Sequence, residues 1–240
     1  MAFLWTQFRG GLTLIVHGNP YIFNLAWVTL RVAVVSTACA LVIGLPLGLL
    51  LGLGRFRGRR GLQILANASL ALPPVVVGVI VLLLLIPQGV FAGLRIEFTL
   101  RAVYVVQTIL ALPYIVALTP AAIQGLGPGL LAQARSLGAN RRHLSALALR
   151  EAKVGVMAAV IAALGAAMSE VGAIVIAGGN VQGHDETLAS ALLNDFNYSA
   201  SNSYEWAIAI MLVILIVTLI GSLTLLQQRS GGISLRFRPS

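Results

Sequence analysis

Charge is what this chain has least of. Asp, Glu, Lys and Arg together make up 10% of its 240 residues, against about a quarter in soluble domains, and the mean hydropathy is +0.94. An ordinary soluble domain is excluded. Cysteine is reduced to Cys39, so no intramolecular disulfide can form, and its place beside Ala38 and Ala40 reads as small-residue packing. His17 and His143 have no second His or Cys at metal-ligand spacing, so no metal site is assigned. No glycine-rich Walker loop occurs, so the chain cannot hydrolyse ATP alone. Ser169, Glu170, His184 and Asp185 are catalytic residue types, but no nucleophile-elbow pattern surrounds them. Ser169 and Glu170 are expected as helix neighbours facing different directions, and no catalytic residue is assigned.

What is present is a set of uncharged runs: Val32–Gly54, Gly61–Leu94, Ala102–Ala134 and Trp206–Gln228. Each reaches the roughly 20 residues a helix needs to cross a bilayer core. A fifth run, Val154–Gly178, carries only Glu170. The two longest must contain loops, placed by Pro87-Gln88-Gly89 and by Gly125–Gly129. The expected fold is an all-α membrane protein with about five transmembrane helices, near 23–54, 62–86, 101–124, 154–177 and 205–228. Residues 23–228 form one membrane domain. Residues 1–22 form an interfacial helix on Phe3, Leu4, Phe8, Leu12 and Ile15, with no cleavable signal, and 229–240 are a cytoplasmic tail.

The net charge of +9 has a pattern. Arg55, Arg57, Arg59 and Arg60 follow the first span, Arg135, Arg141, Arg142, Arg150 and Lys153 follow the third, and Arg229, Arg236 and Arg238 close the chain. The loops between are near neutral (Arg95, Glu97, Arg101) or acidic (Asp185, Glu186, Asp195, Glu205). Basic residues on every second loop place the N-terminus outside and the C-terminus inside. They also argue against nucleic acid as a partner.

Within the spans, Gly44, Gly48 and Gly52 make small-residue ridges around Pro46. Pro73-Pro74 break the second span, and Pro113 and Pro120 bend the third. Asn67, Ser69, Gln107, Thr108 and Thr119 lie near those kinks, either as hydrogen-bonded packing groups or as the lining of a path. Arg31 snorkels to the outer interface or draws anions to the mouth. Glu170 is the one acid inside a span, where an ionised carboxylate needs a partner.

A polar stretch, residues 130–144, interrupts this membrane pattern. Leu130, Ala134 and Leu137 share a helical face with Arg135 off it. Gly138 can end that helix in the left-handed conformation, and Asn140 can cap the next. A helix, a glycine turn and a helix standing in water between two spans read as a docking element for a soluble partner.

Ala132-Gln133-Ala134-Arg-Ser-Leu-Gly138 resembles the cytoplasmic "EAA" loop of ABC importer permeases, with Ala132 and Gln133 in place of its leading Glu and first Ala. The Pro found later in that loop is replaced by Leu149-Arg150-Glu151-Ala152. Ser169-Glu170-Val-Gly172-Ala173 followed by Gly178-Gly179-Asn180 resembles a run of the oxyanion permeases for molybdate, tungstate and sulfate. Thr29-Leu30-Arg-Val with Gly44-Leu-Pro46-Leu-Gly48 resembles their first core helix. The likeness covers roughly residues 25 to 228 and is nearest to the tungstate branch.

The resemblance implies a type I ABC importer permease in a prokaryotic inner membrane, one copy of a homodimer. Its partners would be two ATPase subunits holding ATP and Mg, an extracytoplasmic oxyanion-binding protein, and lipid. The coupling loop would be 128–152, with Leu130, Ala134, Arg135, Leu137, Gly138, Asn140, Arg141 and Arg142 meeting the ATPase. Ser169, Glu170 and Gly172 would be structural, Glu170 pairing with an Arg or a helix end. A dianion needs a path free of fixed negative charge, expected at Pro73, Pro74, Val76, Gln107, Thr108, Leu110 and Pro113. Molybdate or sulfate is an alternative cargo. An ATP-independent channel or secondary carrier would need more intramembrane charge or two matching halves, and an intramembrane hydrolase lacks a placed nucleophile.

Overall fold

The computed structural model describes residues 2–127, 129–198 and 202–231. They are helical throughout, without a strand among the described residues. The tail beyond 231, with Arg236 and Arg238, lies outside the described residues, as does Pro128 at the edge of the loop expected to couple to the ATPase.

Helix α1 (Ala2–Val16) lies against α11 (Asn202–Gly231). Gly10 and Gly11 allow that approach, since a Cβ at Gly11 would sit 2.8 Å from Trp206 Cβ. Phe8 meets Trp206 edge-on at 5.5 Å, and Ser203 Oγ donates to Gln7.

The Asn19 side chain starts α2 (Pro20–Leu53) by accepting from the N–H groups of Tyr21 and Ile22, with Pro20 in the first turn where its missing N–H costs nothing. Thirty-four residues rise about 51 Å, well beyond the hydrocarbon core. Its ridge of Gly44, Gly48 and Gly52 packs on α5 (Leu100–Gln124) at Ile115, Thr119 and Ile123; a Cβ at Gly48 would come within 2.7 Å of Thr119 Cβ. The small-residue ridge expected from sequence is therefore the α2–α5 contact.

Two expected spans are not continuous. Residues 62–86 divide into α3 (Arg59–Ser69) and α4 (Pro74–Leu85), bent by 102°, because Pro73 and Pro74 remove consecutive N–H donors and disfavour helical geometry before them. Residues 154–177 divide into α8 (Lys153–Ser169) and α9 (Gly172–Gly178), with Glu170 extended at φ −74° and ψ 133°. The two short outer helices pack together where Gly78 meets Ala173, a Cβ on Gly78 falling 2.8 Å from Ala173 Cα. Gly172 leaves the room that Val75 fills.

Among the described residues three helices are long and apolar enough to cross a membrane: α2, α5 and residues 203–229 of α11. Bent pairs raise the number to five. Of these, α7 (Arg141–Glu151), bent by 71° from α8, carries the charged segment, so the fifth crossing is read on α8 continuing into α9.

Candidate functional site

The polar stretch forms the hairpin its residues suggest. Helix α6 (Leu130–Ser136) ends at Gly138, φ +83°. Gly138 N–H donates to Arg135 O and Ala139 N–H to Ala134 O, both at 3.0 Å. This is the paired bond pattern that closes a helix through a left-handed residue. Asn140 then caps α7, its Oδ1 accepting from His143 N–H at 2.9 Å.

The hairpin is anchored from within. Leu144 and Ala148 of α7 are buried, and Ala148 packs with Ile123 of α5 and Ala152, while Leu49 and Leu53 of α2 lie against them. The hairpin thus packs directly on two spans. Its outer side is open: Arg135, Arg141 and Arg142 are exposed, and Leu137 is 87% exposed. The predicted Leu130–Ala134–Leu137 stripe is split, because Leu137 lies past the end of α6 while Leu130 and Ala134 are half-buried against their own chain.

A small cavity of about 60 Å³ lies where both interrupted spans break. Ser69 and Pro74, Gln107 and Leu110, and Glu170 are among its lining. The Glu170 carboxylate accepts from Ala173 N–H at 3.1 Å, so it satisfies the start of α9, a helix end. Gln107 is 1% exposed and its Nε2 has no partner among the described residues. Ser169 turns its hydroxyl back onto the carbonyls of Gly165 and Ala166.

The expected path residues do not gather in one place. Pro74, Gln107 and Leu110 share the cavity with Glu170, where a path free of fixed negative charge was expected. Pro113 faces another cleft, with Leu62 and Leu65 of α3. Val76 is 47% exposed, Pro73 is exposed, and Thr108 bonds back to Tyr104 O at 2.7 Å. Thr119 is buried under Gly48.

A different surface carries donors without acid. Gln63 and Asn67 of α3 and Gln124 of α5 line one groove of about 140 Å³ beside Pro120. Gln63 and Gln124 do not stand out in sequence, and only the bend at Pro73 turns α3 across α5. The one available signal was Asn67 near the Pro73-Pro74 kink.

The acidic loop contains α10 (Leu188–Tyr198), and its Asp185 and Glu186 are buried. Asp185 is 1% exposed and accepts from the N–H groups of Asn180 and Val181, each at 2.9 Å. Glu186, 2% exposed, accepts from Tyr21 OH and from Asn194 Nδ2, each at 2.9 Å. Thr29 Oγ1 receives Leu188 N–H at 2.8 Å, tying the loop to α2. Burial pushes the Asp185 carboxyl above its ordinary value of 3.8, against the pull of the Val181 and Asn180 N–H groups. The side chain of Asp195 lies outside the described residues. The neighbouring Arg95 loop does meet this one, Arg95, Arg101 and His184 lining a shared cleft.

Residues 44–231 match the model of the family described as "binding-protein-dependent transport system inner membrane component". The chain belongs to this family. The permease is therefore a multi-pass inner-membrane transport component of a prokaryote, not an enzyme, and the ATPase is a separate subunit. It is 28% identical to the tungstate uptake system permease protein TupB of Peptoclostridium acidaminophilum over 91% of this chain and 94% of that one. It is 35% identical to a probable anion ABC transporter permease protein of Haloferax volcanii, over 70% of this chain and 72% of the other. A sulfate transport system permease, CysT of Salmonella typhimurium, is 27% identical over 95% and 82%. In fold it is similar to a chain of the inward-facing MetNI methionine ABC transporter, with a TM-score of 0.67 at 24% identity, covering 89% of this chain and 99% of that one.

Proposed function

We propose that the permease carries tungstate inward, as one of two copies that together frame the path. The reading rests on the likeness to TupB across nearly the whole chain. The cavity that Glu170 lines within a single copy is about 60 Å³, room for a few waters and not for a continuous path. A path between two copies resolves this, related by the two-fold symmetry usual for such pairs.

In this reading ATP and Mg²⁺ are held by the ATPase pair. Closure of that pair moves the hairpin of α6 and α7, and the shared core at Ile123 and Ala148 carries the movement into α5 and α2. The binding protein docks on the outer face, where Arg95 and Arg101 are exposed and the acids are withdrawn.

The amide groove of Gln63, Asn67 and Gln124 suits a dianion better than the Glu170 cavity, because donors without fixed negative charge stabilise an anion as it sheds water. Gln107→Glu would place a second carboxylate in the cavity that Glu170 already lines, so it would disturb the fold whatever the path. Asn67→Asp is the cleaner test. In cells holding the permease, its ATPase and its binding protein, tungsten accumulation should fall about tenfold or more with Asn67→Asp, while Asn67→Ser costs less and membrane levels stay unchanged. Normal accumulation with Asn67→Asp removes this groove from the path. Accumulation of molybdate or sulfate in place of tungstate reassigns the cargo.

A further inference from the structure

At the hairpin end of the molecule a cleft of about 730 Å³ opens between the end of α2 and the hairpin. Arg55 from the loop after α2, Arg135 from α6 and Arg141 from α7 line its rim, and no acid lines it. The nearest acid on the hairpin, Glu151, is at the far end of α7 from Arg141, about 15 Å of helix rise away. Among the described residues none of the three guanidinium groups has a hydrogen-bond or ion-pair partner. Three guanidinium groups from three separate elements thus converge with their donors unused.

Apart from Ser145, the rest of the cleft is apolar. It runs along α2 from Leu53 through Leu50, 53% exposed, down to Pro46. That is about 10 Å of helix rise, from the charged rim into the part of α2 that crosses the membrane. A soluble anion would use the rim alone, and an acidic segment of a soluble partner would not reach beside a membrane-spanning helix. An amphiphile matches both parts.

We propose that this cleft is a binding site for an anionic phospholipid, its phosphate held by Arg55, Arg135 and Arg141 and an acyl chain lying along Leu53, Leu50 and Pro46. Guanidinium forks pair with phosphate oxygens two at a time, so three of them favour a headgroup with net negative charge over one that carries its own ammonium. Arg135 and Arg141 flank the Gly138 turn, so the bound lipid braces the hairpin against α2. The site depends neither on which oxyanion is carried nor on which side of the membrane the hairpin faces.

The test is native mass spectrometry of the purified full-length permease in neutral detergent, titrated with phosphatidylglycerol or with phosphatidylcholine of the same chains. Phosphatidylglycerol should be retained the more tightly of the two. Each of Arg55→Gln, Arg135→Gln and Arg141→Gln should weaken it about fivefold, the equivalent of about 1 kcal/mol per basic residue at a membrane surface, and the triple variant should lose the preference. Leu50→Trp, which fills the apolar floor and leaves the arginines in place, should also weaken retention, and it decides the matter if the triple variant fails to fold. Arg57→Gln with Arg60→Gln, which remove charge outside the cleft, should leave retention unchanged. Millimolar glycerol phosphate should not displace the lipid. Equal retention of the two lipids, an unaffected triple variant, an equal loss in the Arg57/Arg60 control, or an unaffected Leu50→Trp would overturn the site. Displacement by glycerol phosphate would make it a site for free anions instead.

Discussion

The hairpin at residues 130–151 and the outer loop at 179–198 both join membrane spans, and they treat charge in opposite ways. The hairpin closes its turn with backbone bonds at Gly138 and leaves Arg135, Arg141 and Arg142 in water with Leu137 bare beside them. The outer loop turns two carboxylates inward, Asp185 onto two N–H groups of its own and Glu186 onto Tyr21 of α2 and Asn194. A buried, hydrogen-bonded carboxyl ties a fold together, whereas an exposed charge beside an exposed leucine is available to a partner. The comparison supports the proposed docking role of the hairpin and gives Asp185 and Glu186 a scaffolding one, although both segments look equally polar in sequence.

The largest effect should come from breaking the hairpin's turn. Gly138 has φ +83° and open space around its Cβ position, so Gly138→Val suffers from backbone strain and not from a clash. Transport should be lost with the protein still inserted at normal levels. Normal transport by this variant would remove the turn from the coupling route.

The outer loop should answer differently. Glu186→Ala leaves Tyr21 OH and Asn194 Nδ2 without their buried acceptor, at a cost of about 2 kcal/mol or more. The thermal midpoint of the purified permease should drop, with transport falling only as the folded population falls. A variant of unchanged midpoint that no longer transports would make Glu186 a functional group.

The smallest effect is a pH dependence confined to one side. Because burial raises the folded-state value of Asp185 above 3.8, folding favours its protonated form. That contribution is fully present below 3.8 and is lost as pH rises through the raised value. Hydrogen exchange at 180–186, corrected for intrinsic rate, should therefore be faster at pH 7 than at pH 4. Asp185→Asn should abolish the difference, and α6, whose one charge is Arg135, should show none. A flat response at 180–186 would mean the carboxylate is held equally well in both forms.

How much of this was legible in the sequence follows from the range of each signal. Gly138 and Asn140 act within a few residues, so the hairpin could be read directly. The Gly44–Gly48–Gly52 ridge repeats at helical spacing and could be read too, though not its partner face on α5. The break at Glu170 could not, since Ala-Met-Ser-Glu-Val-Gly-Ala keeps the apolar pattern and only the carboxylate marks an interruption. Pro73-Pro74 announced a kink but not a 102° turn, and that turn decides which amides α3 brings to α5. On α5 apolar residues surround the helix, so nothing in its pattern says which way Gln107 points. The burial of Glu186 could not be read, because its partner Tyr21 on α2 lies 165 residues away, and neither could the tie from Leu188 N–H to Thr29, which spans 159.

The central claim, that the exposed side of the hairpin is covered by the ATPase, can be measured by thiol labelling in a Cys39→Ser permease. Cys39 is exposed and must be removed first. Leu137→Cys and Gln182→Cys, one on each loop, should both label rapidly in the isolated protein. Adding the ATPase should protect Leu137→Cys and leave Gln182→Cys reacting at its former rate. If Leu137→Cys labels equally fast with the ATPase bound, the hairpin is not the docking element.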